Sequence, residues 1–276
     1  MQPVAAYVDP SATTRIPLIA TRQLPPAYVR WNDRWGAPFG HQQLSRRLVA
    51  RFAPSSVRPA VLGPFSVQLN NEPRVYEYPW AYHAVPVQPG TLVVDVGAGL
   101  SGFQFVLARA GARAIAVDPV LGGEGHWGVD VIRHRRLNRI FRTDVALMPC
   151  RLEDAAISVG TVQTIYCLST LEHLSEPDAM SLIRYAADLL VPGGHLVLTV
   201  DLFLNVAPFS DRAVNTWGSN HDVAGLVDGS GLALVQGERA ELNGFEEFDP
   251  RRVLANLERY LVGSYPAVAQ ALVLQK

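Results

Sequence analysis

The stretch Val93-Val94-Asp95-Val96-Gly97-Ala98-Gly99-Leu100-Ser101-Gly102 decides how this chain reads. Its valines read as a buried strand, and the strand breaks into a G-x-G-x-x-G turn. Glycine reaches left-handed backbone conformations and lets a ligand approach the main chain closely. In an open α/β sheet such a turn sits at the carboxyl end of a strand, where ligands bind. Turns of this kind hold nucleotide cofactors, and several cofactor classes share the spacing.

Downstream, strand and helix patterns alternate. "TLVVDVG" is followed by a helix over "GFQFVLARAG" and a strand "ARAIAVD" ending in Asp118. A helix fits around 127–140 and a short strand around 145–149. "VQTIYCLS" (162–169) is a near-continuous apolar run, as expected of a strand covered on both faces. The next helix starts at Ser175, with Asp178 in capping-box spacing, and Ala179, Leu182, Ile183, Ala186 and Leu190 share one face. "VPGG" (191–194) stops it before the strand "HLVLTVD". A helix near 220–229, a strand at 232–238, a helix capped by Asp249 with Pro250 in its first turn and a last strand "AVAQALVLQ" complete the chain. This order implies an α/β fold with a doubly wound, mostly parallel sheet.

Residues 1–88 read differently. Prolines recur, a short helix fits 41–52, and aromatic residues are dense, among them Tyr28, Trp31, Trp35, Tyr76, Tyr78, Trp80 and Tyr82. The segment is too apolar for a disordered tail. We expect an N-terminal cap over 1–88, folding as a lid over the strand ends, on a cofactor-binding domain at 89–276. Packing behind the sheet, or a homodimer contact, are the alternatives.

Of 276 residues, 49% are hydrophobic, enough for a sizeable core. Lys plus Arg is 24 and Asp plus Glu is 25, a net charge of -1 that gives no overall footprint for nucleic acid or an anionic membrane. The basic run Arg133-His134-Arg135-Arg136 reads as a solvated helix face. The two cysteines, Cys150 and Cys167, show no disulfide or metal spacing, which points to a reducing cytoplasm. The N-terminus lacks a signal-peptide apolar region, and no run approaches the roughly 20 apolar residues of a membrane helix.

The cofactor class is narrowed by three further features. Asp95 lies inside the first strand, where dinucleotide-binding strands are usually apolar; "LSTLEHL" (168–174) follows the fourth strand; "LLVPGGHLVLTV" (189–200) leads into the fifth. With these residues the chain resembles the class I S-adenosylmethionine-dependent methyltransferases over roughly 75–275. The matching positions are Asp95, Gly97, Gly99, Asp118, Glu172, His173, Pro192, Gly193 and Gly194. The resemblance implies a Rossmann-like seven-stranded sheet whose last strand runs antiparallel between the fifth and sixth, preceded by an extended hairpin-like insertion at 239–266. It implies S-adenosylmethionine as cofactor, held by Gly97, Ala98, Gly99, Asp118, Pro119 and Leu168, with Asp95 anchoring the turn near the cofactor's amino-acid end. A family acid after strand three is replaced near Arg151, so the adenine contact falls either to backbone at Leu152 or to Glu153. "RVYEYPWAYH" (74–83) matches a subset of the family, with Arg74 a partner for the methionine carboxylate and Tyr78 a hydrogen-bond donor. Packing of the aromatic cap is the competing role for both.

Methyl transfer from a sulfonium is mainly a positioning problem. A base is required only where the acceptor must lose a proton, and histidine is the commonest. His173 after strand four and His221 in "WGSNHD" are the catalytic candidates, each weighed against a purely structural role. His126 and Trp127 are further loop candidates. No metal-ligand spacing is present. We expect a small-molecule acceptor, with O-methylation ahead of N- and C-methylation, and no nucleic-acid or membrane partner. Rival readings are an enzyme that holds the cofactor for a non-methylating reaction and a non-catalytic binding subunit. A nicotinamide oxidoreductase is disfavoured by Asp95 and the "EHL" and "PGG" segments.

Overall fold

The computed structural model describes residues 19–119 and 130–276. The N-terminal segment forms α1 (Pro26–Trp35), α2 (Leu44–Phe52), α3 (Arg58–Leu62) and α4 (Arg74–Ala84). Seven strands follow, β1 (Leu92–Val96), β2 (Arg113–Val117), β3 (Ala146–Met148), β4 (Val162–Leu168), β5 (Leu190–Phe203), β6 (Ala233–Gln236) and β7 (Ala267–Gln275). Between them lie α5 (Phe103–Arg109), α6 (Val131–Phe141), α7 (Glu176–Leu189), α8 (Val223–Ser230) and α9 (Pro250–Leu254). The strand order is β3-β2-β1-β4-β5-β7-β6. The first five strands are parallel, and β7 runs antiparallel between β5 and β6. The doubly wound, mostly parallel sheet expected from the sequence is therefore the observed one.

Strand periodicity divides the core into two faces. Val94, Ile165, Leu196, Leu198 and Leu272 pack toward Ile183 and Ala186 of α7 and Leu226 of α8. Val93, Tyr166, Val197 and Ala271 pack toward Phe103 of α5 and Tyr76 and Trp80 of α4. The aromatic N-terminal helices thus cover one face of the sheet. Phe103 lies at their junction, its ring 5.2 Å from that of Tyr166 and 5.7 Å from that of Tyr78. Removing a buried ring of this kind costs about 3–5 kcal/mol.

Local chemistry explains the element ends. Ser175 caps α7 by accepting from the Asp178 amide, Asp130 caps α6 through the Ile132 and Arg133 amides, and Asp249 caps α9. Two expectations change. α7 ends at Leu189, and β5 starts at once at Leu190. Val191–Gly194 is absorbed as an irregularity in the β4–β5 ladder, where a proline without an amide hydrogen is tolerated. In place of a hairpin, 239–266 forms α9 between 3-10 turns at Arg239–Glu241 and Leu257–Arg259. In the basic run, His134 turns inward against Phe105 while Arg133 ties α6 to the Val67 carbonyl at 3.0 Å.

Candidate functional site

A cavity of about 560 Å³ opens at the carboxyl ends of β1, β2 and β4. Its floor is the turn after β1, lined by Gly97, Ala98 and Gly99. Gly97 and Gly99 have φ of +65° and +50°. A β-carbon on Gly97 would run into Thr170, and one on Gly99 would lie 2.5 Å from Gln68 Oε1. Asp118, at the end of β2, accepts from the Gly99 amide at 2.8 Å through Oδ2. Its other oxygen makes no hydrogen bond within the described residues.

The walls carry Arg74, Tyr78, Asp95, Pro119, Leu168 and His173. Ten of the thirteen sequence-derived candidates therefore line one cavity. Three do not. Leu152 is buried in the core beside α7, and Glu153 follows it in a 3-10 turn away from the lining. His221 is buried, with Nε2 2.6 Å from the Leu171 carbonyl oxygen. His126 and Trp127 lie outside the described residues.

Burial sets the electrostatics. Desolvation pushes the Asp95 carboxyl up to about 8; the Asp118 charge adds to this and Arg74 opposes it. Oδ2 of Asp95 has no hydrogen-bond partner. Asp118 is raised to about 6 by burial, against the hydrogen bond from Gly99. Arg74 donates to Glu77 Oε2 at 2.8 Å and to Ser169 Oγ. Ser169 in turn donates to Glu77 Oε1 at 2.8 Å. A guanidinium has five donors, so this anchoring leaves others for the cavity. Ser169 holds φ +43°, a conformation that costs a non-glycine residue of order 1–3 kcal/mol. Asp201 lies below this network and is raised to about 7 by burial and by Glu77. Glu172 is wholly buried, and burial followed by Asp201 pushes it well above the carboxylate range. It does not line the cavity, and neither of its carboxylate oxygens has a hydrogen-bond partner among the described residues.

His173 presents Nδ1 to the Trp217 carbonyl oxygen at 2.6 Å. A carbonyl only accepts, so Nδ1 carries the hydrogen and Nε2 holds a lone pair. Desolvation, its largest perturbation, lowers the His173 pKa. Beside it, the Trp217 and Tyr265 rings lie 5.0 Å apart at 30°, and both line the cavity. Tyr78 donates to Asn70 Oδ1 at 2.8 Å.

Gln68, Thr170, Trp217 and Tyr265 are lining residues absent from the sequence-derived set. Gln68 accepts from the Leu100 amide at 2.7 Å and has no motif around it. Trp217 stands in the "WGSNHD" loop, four residues before His221, and is its cavity-facing member. Among the described residues no cluster of His, Cys, Asp and Glu is arranged to hold a metal ion, and no helix is long and apolar enough to cross a membrane.

No family model matches the chain. It is 36% identical over 114 residues to a ubiquinone biosynthesis O-methyltransferase of Xanthomonas campestris pv. campestris (strain B100), a match covering 40% of this chain and 43% of the relative. A protein of the same name from Vibrio parahaemolyticus is 32% identical over 109 residues, 39% of this chain and 42% of the relative. The chain thus spans less than half the length of the curated relatives it matches. Geranyl diphosphate methyltransferase, solved with geranyl diphosphate and sinefungin, superposes with a TM-score of 0.51 at 14% identity, covering 92% of this chain and 96% of that one. The [4+2]-cyclase SpnF does so with a TM-score of 0.54 at 15% identity, covering 87% and 97%. At these identities the two structures establish a shared fold.

Proposed function

We propose that this chain, which has the fold of the class I S-adenosylmethionine-dependent methyltransferases, binds that cofactor on the Gly97–Gly99 turn and methylates a small-molecule acceptor, preferentially on oxygen. The observation that carries the reading is the convergence of the glycine turn, Asp118 and His173 on one cavity. The residues present fit the cofactor. The turn leaves no room for side chains, one oxygen of Asp118 is available to a ribose hydroxyl, and Arg74 offers donors to a carboxylate. When bound, S-adenosylmethionine supplies a sulfonium methyl group that an acceptor displaces in line.

The remaining work falls to the protein. Asp118 and Arg74 fix the two ends of the cofactor, with Tyr78, Pro119 and Leu168 beside them. Trp217 and Tyr265 offer apolar surface to an acceptor ring or chain. Nε2 of His173 takes the hydroxyl proton as the acceptor oxygen becomes nucleophilic, while the Trp217 carbonyl holds the imidazole by Nδ1. The names of the curated relatives support oxygen as the acceptor atom.

The test is incubation with S-adenosylmethionine labelled in its methyl group and a panel of hydroxylated aromatic and isoprenoid acceptors. Labelled ether product with equimolar S-adenosylhomocysteine is expected. Acceptor consumption without S-adenosylhomocysteine would replace this reading by a non-methylating one, and failure to bind S-adenosylhomocysteine would remove the cofactor assignment.

A further inference from the structure

A net charge of -1 conceals a segregated surface. Residues 34–71 contain Arg34, Arg46, Arg47, Arg51 and Arg58 and no Asp or Glu. The rest of the chain carries the balancing negative charge.

Within that run α2 is inside out. An amphipathic surface helix normally turns its apolar stripe to the core. Here Leu44, Leu48 and Phe52, spaced i, i+4 and i+8 and so on one face, are 73%, 49% and 83% exposed. Val49 beside them is also exposed, and the buried residue of the helix is Ala50. Arg47 and Arg51 flank the apolar stripe on the helix surface. A separate cleft of about 300 Å³ lies along this flank, lined by His41, Gln42, Arg47, Arg51 and Arg58 among others. Arg47, Arg51 and Arg58 form no ion pair among the described residues. Arg58 spends one donor on the Ala53 carbonyl.

We propose that α2 and this arginine-lined cleft form a docking site for an anionic phospholipid surface, with a headgroup phosphate in the cleft and the α2 apolar stripe in the acyl boundary. Bare aliphatic side chains and Phe52 suit a hydrocarbon boundary, and cations beside them suit phosphate. Two copies of this chain meeting face to face would bring Arg47, Arg51 and Arg58 of one against the same three of the other, with Asp33 beside His41 the acid near the cleft, an excess of positive charge that disfavours self-association. The proposal does not depend on the methyl-transfer reading.

Flotation of the full chain with vesicles tests it. Binding is expected to vesicles of phosphatidylcholine mixed with phosphatidylglycerol, not to phosphatidylcholine alone, and should weaken at high salt. A surface-bound arginine contributes about fivefold in partitioning, so Arg47→Gln with Arg51→Gln and Arg58→Gln should lower binding roughly a hundredfold. Leu48→Asn with Phe52→Ser should lower it at least about tenfold. These positions are exposed, and unchanged thermal midpoints will show that the variants fold. No flotation of the wild type at low salt overturns the proposal, as does flotation that both variants retain. Light scattering that shows a dimer lost in these variants, without flotation, assigns the patch to a second copy. Stabilisation by inorganic phosphate without flotation assigns the cleft to a free anion. Either result also overturns it.

Discussion

The Gly99 amide donates to the Asp118 carboxylate at 2.8 Å, so the turn after the first strand and the end of the second are locked together before any ligand arrives. The bond uses one carboxylate oxygen and orients the other. Asp118→Ala removes both functions. A hydrogen bond to a charged group is worth roughly 1.5–3 kcal/mol, so affinity for S-adenosylhomocysteine should fall about tenfold to a hundredfold. Calorimetric titration measures it, and an unchanged dissociation constant would detach Asp118 from the cofactor.

The same carboxyl sets a pH dependence. Burial raises Asp118 to about 6, and only its ionised form accepts from two donors at once. Affinity should hold above pH 7 and weaken as pH falls through about 6, by roughly tenfold at pH 5. Asp118→Asn should bind more weakly throughout and lose that slope.

Asp95 should govern stability in the opposite sense to a paired carboxylate. Its folded value, about 8, lies above the unfolded value near 4, so the folded state holds an extra proton between them. Unfolding free energy therefore declines as pH rises from about 4 to about 8 and levels above, by at most roughly 1.4 kcal/mol per pH unit. Asp95→Asn should flatten this decline. Thermal melts of both proteins at pH 5 and pH 9 decide it; parallel shifts would refute the assignment.

Gly97→Ala should abolish cofactor binding and lower the thermal midpoint. The added methyl meets Thr170, and φ +65° costs an L-residue roughly 1–2 kcal/mol. Thr170→Ala in the same chain should restore part of the midpoint, because it removes the clash and leaves the backbone strain. Full restoration would mean that the left-handed turn is not required.

His173→Gln should lower kcat by about a hundredfold to ten-thousandfold and leave S-adenosylhomocysteine affinity within about twofold. The acid limb of the wild-type rate profile should fall below the ordinary histidine value, since desolvation lowers the pKa of His173. Equal losses in kcat and cofactor affinity would make the residue structural.

The order of strands and helices, the glycine turn and Asp118 were legible in the sequence because each rests on local chemistry. An apolar run, a left-handed glycine or a capping serine means nearly the same wherever it occurs. The motif residues Asp95, Gly97, Gly99 and His173 reached the site for that reason. Glu172 was legible as part of the same motif, yet its carboxyl is wholly buried away from the cavity. Leu152, Glu153 and His221 illustrate what sequence does not carry. Each stands at a position compatible with the cleft, and only packing fixes whether its backbone, for Leu152, or its side chain, for Glu153 and His221, reaches the cavity. His221 turns to the Leu171 carbonyl, while Trp217 of the same loop faces the cavity. Gln68 reaches the glycine turn from 32 residues away, a contact with no local signal. The outward stripe of α2 is likewise a tertiary fact. Its period specifies an amphipathic helix, and only the packing of the other elements leaves the apolar side exposed among the described residues.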